Sequence, residues 1–308
     1  MRSCNWLANR GPKPRIRPGR HKTDRLRRFS ASRACGLFLL AAFSSWTPIA
    51  PAQMQTNGQS EGPNLNVAGN EMQTRMELSN MDALGDKDEV AAFQAFSKQP
   101  EPAKKIQLGN KFLQRYPRSR LAERVDLGLM NAYQVQQDWK NMYRFADNAL
   151  ALKPDDVDAL TTVSWTIPHL YNPNDADADQ QLAKAETYAK RALDILAGMP
   201  KPVDMNDAQF TAAKAKRAIE AHSALGLVYF RRDDYDTSVK ELEQSTKDNP
   251  TPDATDLFVL GIDLQDLKRY AEAADAFGRC SQILGGLQDQ CKQNATSAKA
   301  LANVTKAK

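Results

Sequence analysis

The chain has 308 residues, a formal net charge of +5, 42 % hydrophobic residues and four cysteines. The positive charge looks like the mark of an anionic partner, but residues 1–52 alone hold eleven Lys/Arg against one acid, Asp24, leaving 31 basic and 36 acidic residues beyond them, a net of −5. The basic character belongs to a leader, which excludes nucleic acid as the expected partner of the remainder.

The leader has a basic stretch to Arg33, an apolar run from Gly36 to Phe43 that continues weakly to Ile49, and the small residues Ala50-Pro51-Ala52. This order resembles a bacterial secretory signal over 1–52, cleaved after Ala52. The basic part is long, and a later start near Leu26-Arg27-Arg28 would give a signal of ordinary length. A membrane anchor is the rival reading. The run falls short of the ~18 apolar residues of a span and is broken by Ser44, Ser45 and Pro48, so no integral span is expected after cleavage. Export implies a periplasmic or envelope-associated location. Residues 53–85 are rich in Asn, Gln, Gly and Ser, and are expected to form a disordered tether.

From residue 86 the pattern is helical to the end. Val90, Phe93 and Phe96 form a short apolar stripe closed by Pro100. Ile106, Leu108, Phe112 and Leu113 mark a helix over 101–116, stopped by Pro117. A second pair covers 121–135 and 138–152, with Met130 where the two helices should come closest, which predicts a slightly wider crossing there. The third pair, 156–168 and 179–196, is irregular. Its connection over 168–178 is long, and Met199-Pro200-Lys201-Pro202 breaks the chain again over 198–206. A long helix over 207–231 follows, with Asp207 as its expected N-cap. Helices over 235–247, 254–267 and 270–284 come next, and Gly285-Gly286 turns the chain into a last helix over 287–304.

The last pairs carry the clearest spacing. Gly226 and Gly261 are 35 residues apart. Leu225, Tyr229, Tyr235, Leu242 and Pro250 accompany the first; Leu257, Leu260, Leu264, Tyr270, Ala273 and Phe277 accompany the second. This pattern resembles the tetratricopeptide repeat (TPR). The resemblance implies an all-α, right-handed superhelix of about five helix pairs plus a C-terminal cap helix, because no pair buries its apolar face without a neighbour. It also implies a non-catalytic scaffold or adaptor that holds a protein or peptide segment in its concave groove. A self-associating structural subunit of the cell envelope is the alternative.

Carried over from the family, the inward-facing positions include Arg124, Leu127, Asn131 and Gln134 in the second pair, Leu227, Phe230 and Arg231 in the fourth, and Phe258 and Ile262 in the fifth. Family members that grip a terminal carboxylate put Lys and Asn at the second and third such positions. Only Asn131 matches, so that clamp is not expected. Phe230 and Phe258 are the expected anchors of an apolar patch. Packing against another helix is the competing reading of the same side chains.

No enzyme, cofactor or metal is expected. His169 and His222 stand apart in sequence, with no Cys near them, no Gly-rich phosphate loop and no zinc spacing. The carboxylates read as solvated helix faces. Asp175, Asp177, Asp179 and Glu186 fall at the ligand positions of an EF-hand loop, but Gln180 stands where the turn needs glycine. The simpler reading has these acids at the start of the helix through Ala185 and Ala189. Cys280 and Cys291 are each five residues from the glycine pair, so two antiparallel helices joined there would bring them face to face. In an exported chain that symmetry argues for a disulfide, with two buried thiols as the alternative.

Overall fold

The computed structural model describes residues 87–202 and 205–306, so the signal expected over 1–52 and the tether over 53–85 lie outside the described residues. Among the described residues there are eleven α-helices and no strand. They are α1 Lys87–Ser97, α2 Pro102–Arg115, α3 Ala122–Val135, α4 Trp139–Leu152, α5 Val157–His169, α6 Ala178–Gly198, α7 Asp207–Arg231, α8 Tyr235–Thr246, α9 Ala254–Asp266, α10 Tyr270–Cys280 and α11 Gln288–Lys306. Each packs against the next in the chain, and α1 also meets α3, α5 meets α7, and α7 meets α9. The result is an all-α stack of five helix pairs with α11 closing its end.

Local chemistry sets the helix starts. Asp138, Asp156, Asp234 and Asp253 are N-caps, and each accepts a backbone N–H from the first turn of its helix. The start of α7 corrects one expectation. Asn206, not Asp207, is its N-cap, in a reciprocal capping box with Gln209. Asp207 is the first helical residue and pairs with Lys201 at 2.5 Å. An aspartate and an asparagine in adjacent positions are both competent caps, and the side chain three residues on decided between them.

Three pairs share one turn. Gln137, Asp233 and Lys268, with φ of 57°, 61° and 63°, join α3 to α4, α7 to α8 and α9 to α10. Each lies seven residues after Met130, Gly226 or Gly261. The turn therefore repeats even where the sequence lacks the small residue. A Cβ on Gly226 would sit 2.5 Å from Leu242 Cγ, and one on Gly261 would sit 2.6 Å from the Phe277 ring. Both glycines are places where the two helices of a pair meet at backbone distance.

The core runs from Phe93, Phe96 and Phe112 at the N-terminal end, through Leu129, Met142 and Leu160, to Leu182, Leu196 and Val228. Small side chains (Ala189, Ala221, Ala224) let α6 approach α7 closely. Buried Ser and Thr in α5 donate back to carbonyls of their own helix, as Thr161 does to Val157 O at 2.8 Å and Thr166 to Thr162 O at 2.7 Å. Among the described residues no helix is long and apolar enough to cross a membrane.

Candidate functional site

The inner-face residues fall into two groups. On α3, Arg124, Leu127 and Gln134 are half-buried and Asn131 is exposed. Their spacing of three, four and three residues keeps them on one side of the helix. Of the four, Asn131 reaches furthest into solvent, and Leu127 packs against the edge of the core.

Leu227, Phe230 and Phe258 do not reach solvent. They are 0 %, 1 % and 0 % exposed. Phe258 meets Phe277 edge-on at 5.8 Å between centroids, inside its own helix pair. Helix α7 is flanked by α5, α6, α8 and α9 at once, which leaves Leu227 and Phe230 no open side. The expected aromatic anchors are therefore packing residues. The apolar stripe of α9 is so wide (Leu257, Phe258, Val259, Leu260, Leu264) that a family position alone did not separate its groove side from its core side. Ile262 is half-buried. Arg231 is also half-buried; it donates to Pro168 O at 3.3 Å, and its guanidinium lies 5.3 Å from the Tyr171 ring. It ties α7 to the end of α5.

That tie marks a second place on the stack. The ring of His169, the last residue of α5, stacks on Trp165 at 3.8 Å, and its Nδ1 lies 2.7 Å from Trp165 O. Its Nε2 is buried with no hydrogen-bond partner. Burial holds the imidazole below its usual range and so neutral; the carboxylate of Asp253 opposes this and the charge of Arg231 reinforces it. Asp253 and Asp256 come from the start of α9. Asp253 caps that helix, accepting from Thr255 N at 2.6 Å. Asp256 is fully enclosed and accepts from Ser223 Oγ at 2.9 Å and Ser245 Oγ at 3.0 Å. Burial, with a smaller push from Asp253, moves its carboxyl up to about 8 despite the two serines. One ligand-capable atom from each of His169, Asp253 and Asp256 lies within 4.8 Å of the others. These are the residues that could hold a metal ion.

The sequence reading missed this group, and the reading of carboxylates as solvated faces is corrected with it. Asp126, Asp156, Asp158, Asp256 and Asp263 are all buried. Each is placed by a specific partner or by its helix start. Asp158 pairs with Arg217 at 2.5 Å, and Asp263 lies 2.5 Å from Ser238 Oγ. A signal did exist: Asp256 and Asp263 are seven residues apart, on the apolar side of a helix that has almost no polar side.

The two other sequence candidates resolve plainly. The acids of the calcium-like pattern are not a loop. Helix α6 begins at Ala178, so Asp179 and Glu186 are both helical. Glu186 is bonded by Lys190, Tyr229 and Arg232, which together outweigh its partial burial and hold its carboxyl down at about 2. Asp175 accepts from Asn172 and Asp177 from Gln181. His222 meets Glu241 at 2.7 Å across α7 and α8. The Cα atoms of Cys280 and Cys291 are 5.8 Å apart, within the range a disulfide spans.

No protein-family model matches the chain, and no curated protein matches it. A crystal structure of a thermophilic TPR protein from Thermus thermophilus is similar over 68 % of this chain and 96 % of its own, at 14 % sequence identity and a TM-score of 0.41. A likeness at that level carries no inference about activity or partner.

Proposed function

We propose that this chain is an exported, non-catalytic scaffold of the TPR kind that holds a segment of a partner protein against the inner face of its helix stack. The observation that carries the reading is the stripe Arg124, Leu127, Asn131 and Gln134. It is a mixed apolar and polar face at one helical register, with Asn131 exposed and the other three side chains half-buried. Such a face offers hydrogen bonds and a cation to an extended or helical segment, while the stack behind it supplies rigidity. The contact surface is placed on α3 and not at Phe230 and Phe258, which are buried.

A photo-crosslinking residue placed at Asn131, and separately at the exposed Lys240 of α8, tests this in cells of the host. Adducts to one protein from position 131 and none from 240 are expected. Equal labelling from both, or none from 131, refutes the proposed face. Self-association is the second reading, favoured by Leu301 and Val304, which are 43 % and 58 % exposed on α11. A monomer by light scattering at micromolar concentration removes it.

Export and a Cys280–Cys291 bond belong to the same proposal. The N-terminus of protein taken from the host should be Gln53 or a close neighbour, and denatured, unreduced protein should show no thiol from this pair. A full-length leader, or two alkylated cysteines at 280 and 291, would overturn the corresponding half. The bond closes a short loop, so the chain-entropy account gives it about 2–3 kcal/mol at most, directed to holding α11 against α10.

A further inference from the structure

We propose that His169, Asp253 and Asp256 form a binding site for a divalent transition-metal ion of the zinc class, independent of any partner on the inner face. Three features point to a ligand set and away from an ordinary polar contact. The first is the tautomer. With Nδ1 held by the Trp165 carbonyl at 2.7 Å, the neutral ring carries its proton there and presents a lone pair at Nε2. That is the arrangement by which metal-binding imidazoles are fixed, through the opposite ring nitrogen and a backbone carbonyl.

The second feature is that Nε2 is buried and makes no hydrogen bond. A buried acceptor left unmade costs about 1–3 kcal/mol, and a cation is a partner that would satisfy it. The third is convergence. The two carboxylates that share the site with this nitrogen come from a helix 84 residues further along the chain. Asp256 is oriented by two serines that leave its oxygens with lone pairs to spare. One imidazole and two carboxylates suit zinc and its neighbours better than the all-oxygen cations, and three protein ligands leave a position for water.

Tetrahedral ligands about 2.0–2.2 Å from an ion stand roughly 3.3–3.6 Å apart. The three atoms here, all within 4.8 Å of one another, would close by at most about 1.2–1.5 Å. Side-chain torsions of Asp253 and His169 can supply that. Arg231 opposes a cation through its charge on His169, and the carboxylate of Asp253 offsets it. A bound ion would fasten the end of α5 to the start of α9 across the face of α7.

The test uses the full chain and its His169→Gln and Asp253→Asn variants. Asparagine is as good an N-cap as aspartate, so the second variant keeps the start of α9 while weakening the ligand. Zinc is titrated in competition with a chromophoric chelator, and Co²⁺ is added separately to read visible d–d absorption and quenching of Trp165 fluorescence. Circular dichroism checks that helicity is unchanged. The expected result is one equivalent bound by the wild type and lost, or weakened by at least about tenfold, in both variants. The Co²⁺ bands and the Trp165 quenching should disappear with His169. Cys4, His21, Cys35 and His222 are the same in all three proteins, so any binding there cancels. Equal stoichiometry and affinity in the three proteins overturns the proposal. So does a wild type that takes up no ion at millimolar zinc.

Discussion

Gly261 gives the sharpest test of how the helix pairs are built. Replacing it by alanine has two opposed effects. In a helix interior Gly→Ala stabilises by about 0.8–1.0 kcal/mol through backbone propensity. Here, however, the new methyl would sit 2.6–2.7 Å from three carbons of the Phe277 ring. The nearest is about 0.9 Å inside the ~3.5 Å at which carbons begin to attract. Phe277 is completely buried, so its ring cannot swing into solvent. Overpacking of that kind costs typically about 1–3 kcal/mol. The steric cost outweighs the gain, and Gly261→Ala should destabilise by up to about 2 kcal/mol.

Gly278 is the control. It lies in α10 of the same pair, and a Cβ there would meet nothing within 4 Å. Gly278→Ala should keep the propensity gain and stabilise by up to about 1 kcal/mol. Urea unfolding followed by far-UV circular dichroism reads both. Because stacked repeats open regionally, amide exchange in α9 and α10 should be followed alongside. The same substitution then has opposite signs at two positions 17 residues apart. If Gly261→Ala unfolds at or above the wild-type midpoint, the two helices do not meet at backbone distance there and the repeat geometry is wrong.

Other outcomes follow from burial. Phe258→Ala and Phe230→Ala should each cost about 3–5 kcal/mol in folding; melts near wild type would return these side chains to an open groove. Arg217→Met removes the partner of the buried Asp158, which Arg217 meets at 2.5 Å, and should cost about 3–5 kcal/mol in urea midpoints. A change under about 1 kcal/mol would show that the pair is solvated. Burial pushes Asp256, Asp156 and Asp126 up to about 8, 7 and 6 from a usual 3.8. Each therefore binds a proton in the folded state that the unfolded chain releases, so its contribution to stability falls as pH rises through that interval. His169, held below 6.5, works the other way on the acid side of its ordinary value. Asp256→Asn should flatten the fall in stability between about pH 5 and 8, and parallel curves for variant and wild type would show that Asp256 is not protonated in the fold.

The helices were legible because their signals are local. Pro117 acts within a turn of itself, and the 35 residues between Gly226 and Gly261 repeat one helix-pair pattern, whereas the one cap expected, Asp207, gives way to Asn206. The expected limits of α7, 207–231, are those of the structure. What failed was the assignment of faces. Phe258 lies on a helix whose apolar side wraps most of its circumference, and only contact with Phe277 fixes which way it points. His169 and Asp253 come together through the stacking of three helix pairs, a relation that no spacing along the chain encodes. A lone histidine has a sufficient local explanation as a polar residue, and Asp253 serves locally as the cap of α9.

The length of α7 has a mechanical consequence. Its 25 residues make a rod of about 37 Å, gripped along its sides by α5, α6, α8 and α9. A helix held this way on several sides resists bending along its length. Among junctions between consecutive helices, α4 against α5 is the sparsest, and it lies on the N-terminal side of this rod. The stripe on α3 therefore lies beyond the thinnest seam of the stack. A partner seated there would adjust its own angle of approach without prying apart the buried carboxylates of α9.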